Sequence, residues 1–280
     1  MYSKSEELEK FMKLNGPLVD VRSPGEYYKG NMPNSINIPL FDNEERSIVG
    51  TLYKNYGKEK AVLRGLEFVS DKIENIVNNL FETINTYKSK NHYSEFEKPI
   101  LKIYCARGGM RSQSISWLLE KYNHSCITLK GGYKSYRKWT LKSFNLEWKI
   151  IVIGGKTGTG KTKLLKLLDE NNYQIIDLEG LACHRGSTFG GLGMKKQPTN
   201  EQFENKIAEK LKGFKRSNKI LVEAESANIG KCKIPYEFFN QMKTAQRIEI
   251  IKSESNRLEE LIKTYSIFEE KDLIEAVLRI

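Results

Sequence analysis

Cys105 ends an apolar run, ILKIYC, and opens CARGGMRS, which brings two glycines, Arg107 and Arg111 together ahead of a helix-like SQSISWLLEKY. The spacing from Cys105 to Arg111 is C-x5-R. A strand-to-helix loop of that size can curl its N–H groups toward the sulfur. With two guanidiniums and a helix N-terminus nearby, thiolate becomes available near neutrality. Such a loop serves phosphoryl transfer by a cysteine phosphatase. It serves equally a sulfur or selenium transfer through a persulfide or perselenide on the same cysteine.

A second loop, GKTGTGKT, fits G-x-x-x-x-G-K-[ST] with Gly155, Gly160, Lys161 and Thr162, and Gly158 lies between them. Glycines let backbone N–H groups turn inward around phosphate oxygens. Lys161 reaches the outer phosphates, and Thr162 can ligate a magnesium ion. Asp177, Glu223 and Glu225 each close a predicted strand, where a partner for that metal belongs, and Glu223 is the ligand expected.

The elements needed to hold these loops are legible as strands alternating with helices. PLVDVRS and SINIPL read as strands flanking a short helix in PGEYYKG, and a long mixed helix is expected from about Leu63 to Tyr87. KSKNHYSEFEKP is a polar connector. ILKIYC and CITLKGG are further strands around SISWLLEKY, and YKSYRKWTLKSF is a basic aromatic helix. After it, KIIVIG, the glycine loop and KLLKLLDE form strand, loop and helix; YQIIDLEG, KILVEAES and RIEIIKS supply three more strands. The fold class is α/β, with two parallel-sheet domains expected over residues 1–145 and 146–280.

Charge is unevenly placed. The net +11 of the 280 residues lies entirely in residues 101–200, which carry 17 basic and 6 acidic side chains. A positive field around both loops suits a polyanion such as RNA. GGYKSYRKW adds Lys134, Arg137 and Lys138 interleaved with Tyr133, Tyr136 and Trp139. That alternation fits stacking on unpaired bases; at helical spacing the aromatics could equally form one packing face. Cys105, Cys126, Cys183 and Cys232 form no C-x-x-C pair, so neither a disulfide framework nor a zinc site is expected. Cys126 and Cys183 read as packing residues; Cys232, with a lysine on either side in GKCKIP, could be a reactive surface thiol, though nothing else in the sequence supports a role for it. No apolar run is long enough to span a bilayer, and the polar start MYSKSEELEK is unlike a signal peptide, so a cytoplasmic protein with no membrane partner is expected.

DVRSPGEYYKGNMPNSINIPL resembles the N-terminal signature of rhodanese domains, which favours the chalcogen reading of Cys105. CARGGMRS, LKGGYKSYR, GGKTGTGKT, GLACHRGSTFGGLG, QFEN and EAESANIG, in that order, resemble the tRNA 2-selenouridine synthase family over nearly the whole chain. The resemblance implies a rhodanese-like domain followed by a P-loop NTPase-like α/β domain. It implies replacement of sulfur by selenium at C2 of wobble 2-thiouridine in tRNA, with selenophosphate as donor, selenophosphate synthetase as a partner, and a geranylated intermediate made from geranyl diphosphate. By the same resemblance, Cys105, Arg107 and Arg111 are the catalytic group. Gly155 to Thr162, with Arg185 and Gly186, would hold the diphosphate. The family's further helical segment, expected after DLIEAVLRI, is absent from these 280 residues, and Ala224, Ala227 and Asn228 depart from its usual pattern. Loss of catalysis, leaving a tRNA-binding or sulfur-relay protein, and a cysteine phosphatase joined to an NTPase are the alternatives.

Overall fold

The computed structural model describes residues 4–94, 97–187 and 189–278. The first residues of the N-terminal segment, two in the polar connector, Thr188 of GLACHRGSTFG and the last two of DLIEAVLRI lie outside that description. The chain divides into two compact units, residues 1–139 and 140–280.

The first unit runs β1 (Ser5–Glu6), α1 (Leu8–Lys13), β2 (Leu18–Asp20), α2 (Pro24–Lys29), β3 (Ile36–Asn37), α3 (Asn43–Tyr56), α4 (Lys58–Ser70), α5 (Ile73–Lys90), β4 (Leu101–Tyr104), α6 (Met110–Lys121), β5 (Cys126–Leu129) and the start of α7 (Gly132–Phe144). All pairings in its sheet are parallel, in the order β1-β5-β4-β2-β3. Parallel neighbours need crossovers, and the helices supply them. Val19, Ile103, Leu119, Leu80 and Leu101 fill one side of this core; Phe11, Tyr104, Leu129, Tyr133 and Tyr136 fill the other. The single helix expected from Leu63 to Tyr87 is two, broken at Asp71 and Lys72, and a third precedes them. Local chemistry explains the starts. Ser23 and Glu26 form a capping box with Pro24 in the first turn, Asp42 and Glu45 form another, and Gly57 at φ +88° ends α3.

The second unit contains β6 (Lys149–Gly154), α8 (Lys161–Glu170), β7 (Gln174–Ile176), α9 (Leu178–Ala182), α10 (Asn200–Lys212), β8 (Lys219–Glu223), β9 (Asn228–Ile229), β10 (Cys232–Lys233), α11 (Tyr236–Thr244), β11 (Gln246–Glu249), α12 (Glu254–Tyr265) and α13 (Glu270–Val277). Its parallel sheet has the order β11-β6-β8-β7, and β9 and β10 form a small antiparallel pair. Ile151, Ile153, Leu165 and Ile175 pack between sheet and helix α8. Among the described residues no helix is long and apolar enough to cross a membrane.

Candidate functional site

Each unit places one chemical loop at the carboxyl end of an interior parallel strand, where open α/β sheets leave a crevice. In the first unit Cys105 follows β4 and is almost completely buried, its Sγ 3.3 Å from the Ser112 hydroxyl of α6. The loop is held by the Gly131–Gly132 turn and the start of α7. Tyr133 N–H donates to the Cys105 carbonyl at 2.8 Å and Lys134 N–H to the Ala106 carbonyl at 3.0 Å, so the first turn of α7 caps the loop. Gly132, at φ +55°, makes this approach possible: a Cβ there would lie 2.5 Å from Gly108 N and 2.7 Å from Arg107 N.

The two arginines differ. Arg107 is exposed on the loop rim, whereas Arg111 is mostly buried and bound to Glu26 at 2.7 and 3.3 Å. Burial opposes ionisation of Glu26, but the Arg111 hydrogen bonds and charge outweigh it and hold the carboxyl at about 2. The DVR signature is likewise scaffold. Arg22 chelates Asp20 at 2.6 to 3.0 Å, donates to the Gly30 carbonyl at 2.7 Å, and lies 3.8 Å above the Tyr133 ring. Tyr133 and Tyr136 are core residues, which settles them as a packing face; Lys134 and Lys138 are exposed on the same helix and Arg137 is half-buried.

A cavity of about 870 Å³ opens at this loop, bounded by Cys105, Arg107, Met110 and Arg111 and by helices α3 and α4. The sequence reading missed it, although regularly spaced apolar residues flanking Gly50 and Gly65 within helical segments were its signal.

In the second unit, Gly155, Gly158 and Gly160 take φ of +144°, +84° and +94° and wrap a cavity of about 600 Å³ that Lys161, Thr162, Arg185 and Gly186 also line. Lys161 Nζ donates to the Gly155 carbonyl at 2.9 Å, and Arg185 to the Leu192 carbonyl at 2.7 Å. Helix α12 forms the opposite wall: Arg257 Nε donates to Thr157 O at 3.0 Å, and Glu260 and Tyr265 face the cavity. His184 Nδ1 accepts from Gly186 N–H at 3.2 Å, and burial lowers its pKa.

Glu223, the expected metal partner, is not among the residues that line this cavity. It is fully buried, its Oε1 accepts from Glu179 N–H at 2.6 Å, and burial, with like charge from Glu179 and Asp177, pushes its carboxyl up to about 9. The carboxylates that line the cavity are Asp177, Glu179, Glu225 and Glu260, and of these Glu179 and Glu225 are the pair whose pKa is raised. Burial raises both, the neighbouring Glu225 raises Glu179 further, and Thr162 Oγ1 lies 3.4 Å from Glu179 Oε2. A hydroxyl beside carboxylates is the oxygen set a magnesium ion takes alongside phosphate oxygens. Asp177 instead caps α9 through Gly180 N–H at 2.7 Å. Cys232 also departs from expectation: it is buried, with Gln197 3.6 Å from its sulfur, and burial raises its thiol. Cys126 is a packing residue, its thiol pushed by burial to about 12.

Residues 4–138 match the family model for the rhodanese-like domain, and residues 148–278 match the model for the tRNA 2-selenouridine synthase AAA domain. A tRNA 2-selenouridine synthase of Proteus mirabilis (strain HI4320) is 36% identical over 276 residues, covering 97% of this chain and 72% of that one. Those of Shewanella frigidimarina and Nitrosomonas eutropha are each 34% identical; they cover 93% and 94% of this chain, which in turn covers 69% and 66% of them. The chain thus spans about two thirds of the length of the curated relatives it matches.

Proposed function

The chain belongs to the tRNA 2-selenouridine synthase family, and from that membership we propose that it exchanges sulfur for selenium at C2 of wobble 2-thiouridine in tRNA. Selenophosphate is the donor, and a geranylated thiouridine made from geranyl diphosphate is the intermediate. The observation that carries this reading is the pairing, on one chain, of a phosphate-cradling loop at Lys161 with a buried thiol at Cys105 beside exposed Arg107.

The first step is displacement: the thiouridine sulfur attacks the geranyl C1 and diphosphate leaves. Lys161, the inward-turned amides of Gly155 to Gly160 and the N-terminus of α8 stabilise the charge growing on the leaving group. A magnesium ion, held by Thr162 with Glu179 or Glu225, would neutralise part of the same charge.

The second step is redox-neutral, because selenium is at the selenide level in both selenophosphate and product. Selenium adds at C2, geranyl thiolate departs with the electron pair of the broken C–S bond, and water takes the phosphoryl group. For Cys105 that balance allows a step without an oxidant: thiolate attack on phosphorus, breaking P–Se, releasing selenide and leaving an S-phosphoryl cysteine that water clears. Ser112, 3.3 Å from the sulfur, is placed to donate to the thiolate when it leaves phosphorus.

The test uses the purified chain, tRNA carrying 2-thiouridine, geranyl diphosphate and selenophosphate, read by nucleoside mass spectrometry. Selenouridine is expected from the unaltered chain and only geranylated thiouridine from Cys105→Ala. Binding of tRNA without any modified base would overturn the enzymatic reading and leave a tRNA-binding protein.

A further inference from the structure

Helices α3 and α4 are anomalous for a folded hairpin. No residue of α3 is buried, and in α4 only Ala61 and Gly65 are. Yet the pair carries Val49, Tyr53, Val62, Leu66 and Val69, which line a shared cavity of about 870 Å³; of these, Val49 and Val69 also pack against the core. Phe41 completes the wall. Room is made by small residues: a Cβ on Gly65 would stand 3.1 Å from Phe41 Cζ, and mid-helix Gly50 also faces the space. Glycine inside a helix costs stability, so its use at both positions needs a reason, and the open volume supplies one.

The rim has the opposite character. Arg46, Arg107 and Arg111 line it beside Cys105; Arg46 and Arg111 share Glu26, and Arg107 is exposed. An apolar interior below a cationic mouth fits a ligand with an apolar tail and an anionic body, and the volume lies in the range of small-molecule sites.

We propose that this cavity is the binding site for the apolar chain of an S-alkylated 2-thiouridine, a branched isoprenoid tail of about ten carbons, held so that the base sulfur lies at the Cys105 loop while the tRNA phosphates meet the rim arginines. The assignment rests on the proposed selenotransferase reading and adds to it where the tail sits in the second step, in the rhodanese-like unit and apart from the diphosphate site.

The test is calorimetric titration of the full chain with S-geranyl-2-thiouridine and, as control, S-methyl-2-thiouridine. The geranyl nucleoside is expected to bind at least about tenfold tighter. Leu66→Asp and Tyr53→Asp, at positions 62% and 55% exposed and therefore tolerant of charge, should abolish that preference, and Lys161→Ala should retain it. Equal binding of the two nucleosides, or a preference that survives both aspartates, overturns the site. Conversion of geranylated tRNA to selenouridine by the unaltered chain is followed in parallel. Conversion with a preference insensitive to the aspartates sinks the cavity assignment alone, whereas a preference lost in both variants without any conversion sinks the enzymatic reading and leaves the tail site standing.

Discussion

Arg111 and Glu26, 85 residues apart, meet in a two-point ion pair of 2.7 and 3.3 Å that joins the cysteine loop's helix to the capping box of α2. The pair gives Arg111 a structural duty beside the thiol and leaves Arg107 as the loop's exposed guanidinium. Because the folded carboxyl is held at about 2, its stabilising contribution is complete above the unfolded value near 4.5 and is lost as pH falls toward 2. Glu26→Gln should therefore cost on the order of 2 kcal/mol at pH 7. Urea unfolding at pH 7 and pH 3 checks it, and the difference from the unaltered chain should shrink at the lower pH.

Glu223 has the opposite linkage. Its folded carboxyl keeps a proton that the unfolded chain releases above about 4.5, so stability declines as pH rises from there toward 9. Glu223→Gln retains an acceptor for Glu179 N–H and removes the decline. The variant should match the unaltered chain near pH 4 and exceed it by on the order of 2–3 kcal/mol at pH 8, measured by denaturant midpoint. Equal stability at pH 8 would show that Glu223 is ionised in the fold.

The contrast between Glu223 and Glu225 marks where sequence reasoning stops. Both close the run KILVEAES, and strict alternation would put positions 223 and 225 on the same face; the strand ends at Glu223, and nothing local says which carboxylate turns to the phosphate loop after it. The answer lies with Glu179, 44 residues before Glu223, whose N–H takes the inner carboxylate. Cys232 failed similarly: flanking lysines suggested exposure, yet the β9–β10 pair and Gln197 bury it. The loops themselves were readable, because glycine positions, Lys161, Thr162 and C-x5-R encode their geometry within a few residues. The order of strands and helices was readable as well, since apolar periodicity is local. The α3–α4 cavity was not, because it depends on where two helices lie over a loop that begins 35 residues after α4 ends.

Lys134, Lys138 and Arg107 are exposed around the cysteine loop, while the tyrosines between them in sequence are buried. On the proposed reading, this region's contribution to tRNA binding is electrostatic, without base stacking on the buried Tyr133 or Tyr136. Lys134→Glu with Lys138→Glu should weaken tRNA binding roughly tenfold and lower the salt slope by about one per phosphate contact removed. Filter binding across a salt series measures both. An unchanged slope would move the phosphate contacts away from α7.

Gly132 offers the sharpest separation of the two steps. Its φ of +55° is strained for any residue with a side chain, and an added Cβ would press on the Cys105 carbonyl and lie 2.5 Å from Gly108 N. Gly132→Ala must therefore shift the loop that carries the thiol, while the residues lining the cavity at Lys161 all lie beyond position 154 in sequence. Nucleoside mass spectrometry should find geranylated thiouridine accumulating and selenouridine reduced at least tenfold, with far-ultraviolet circular dichroism unchanged. Full selenation by this variant would mean that the Cys105 loop geometry is not what the second step depends on.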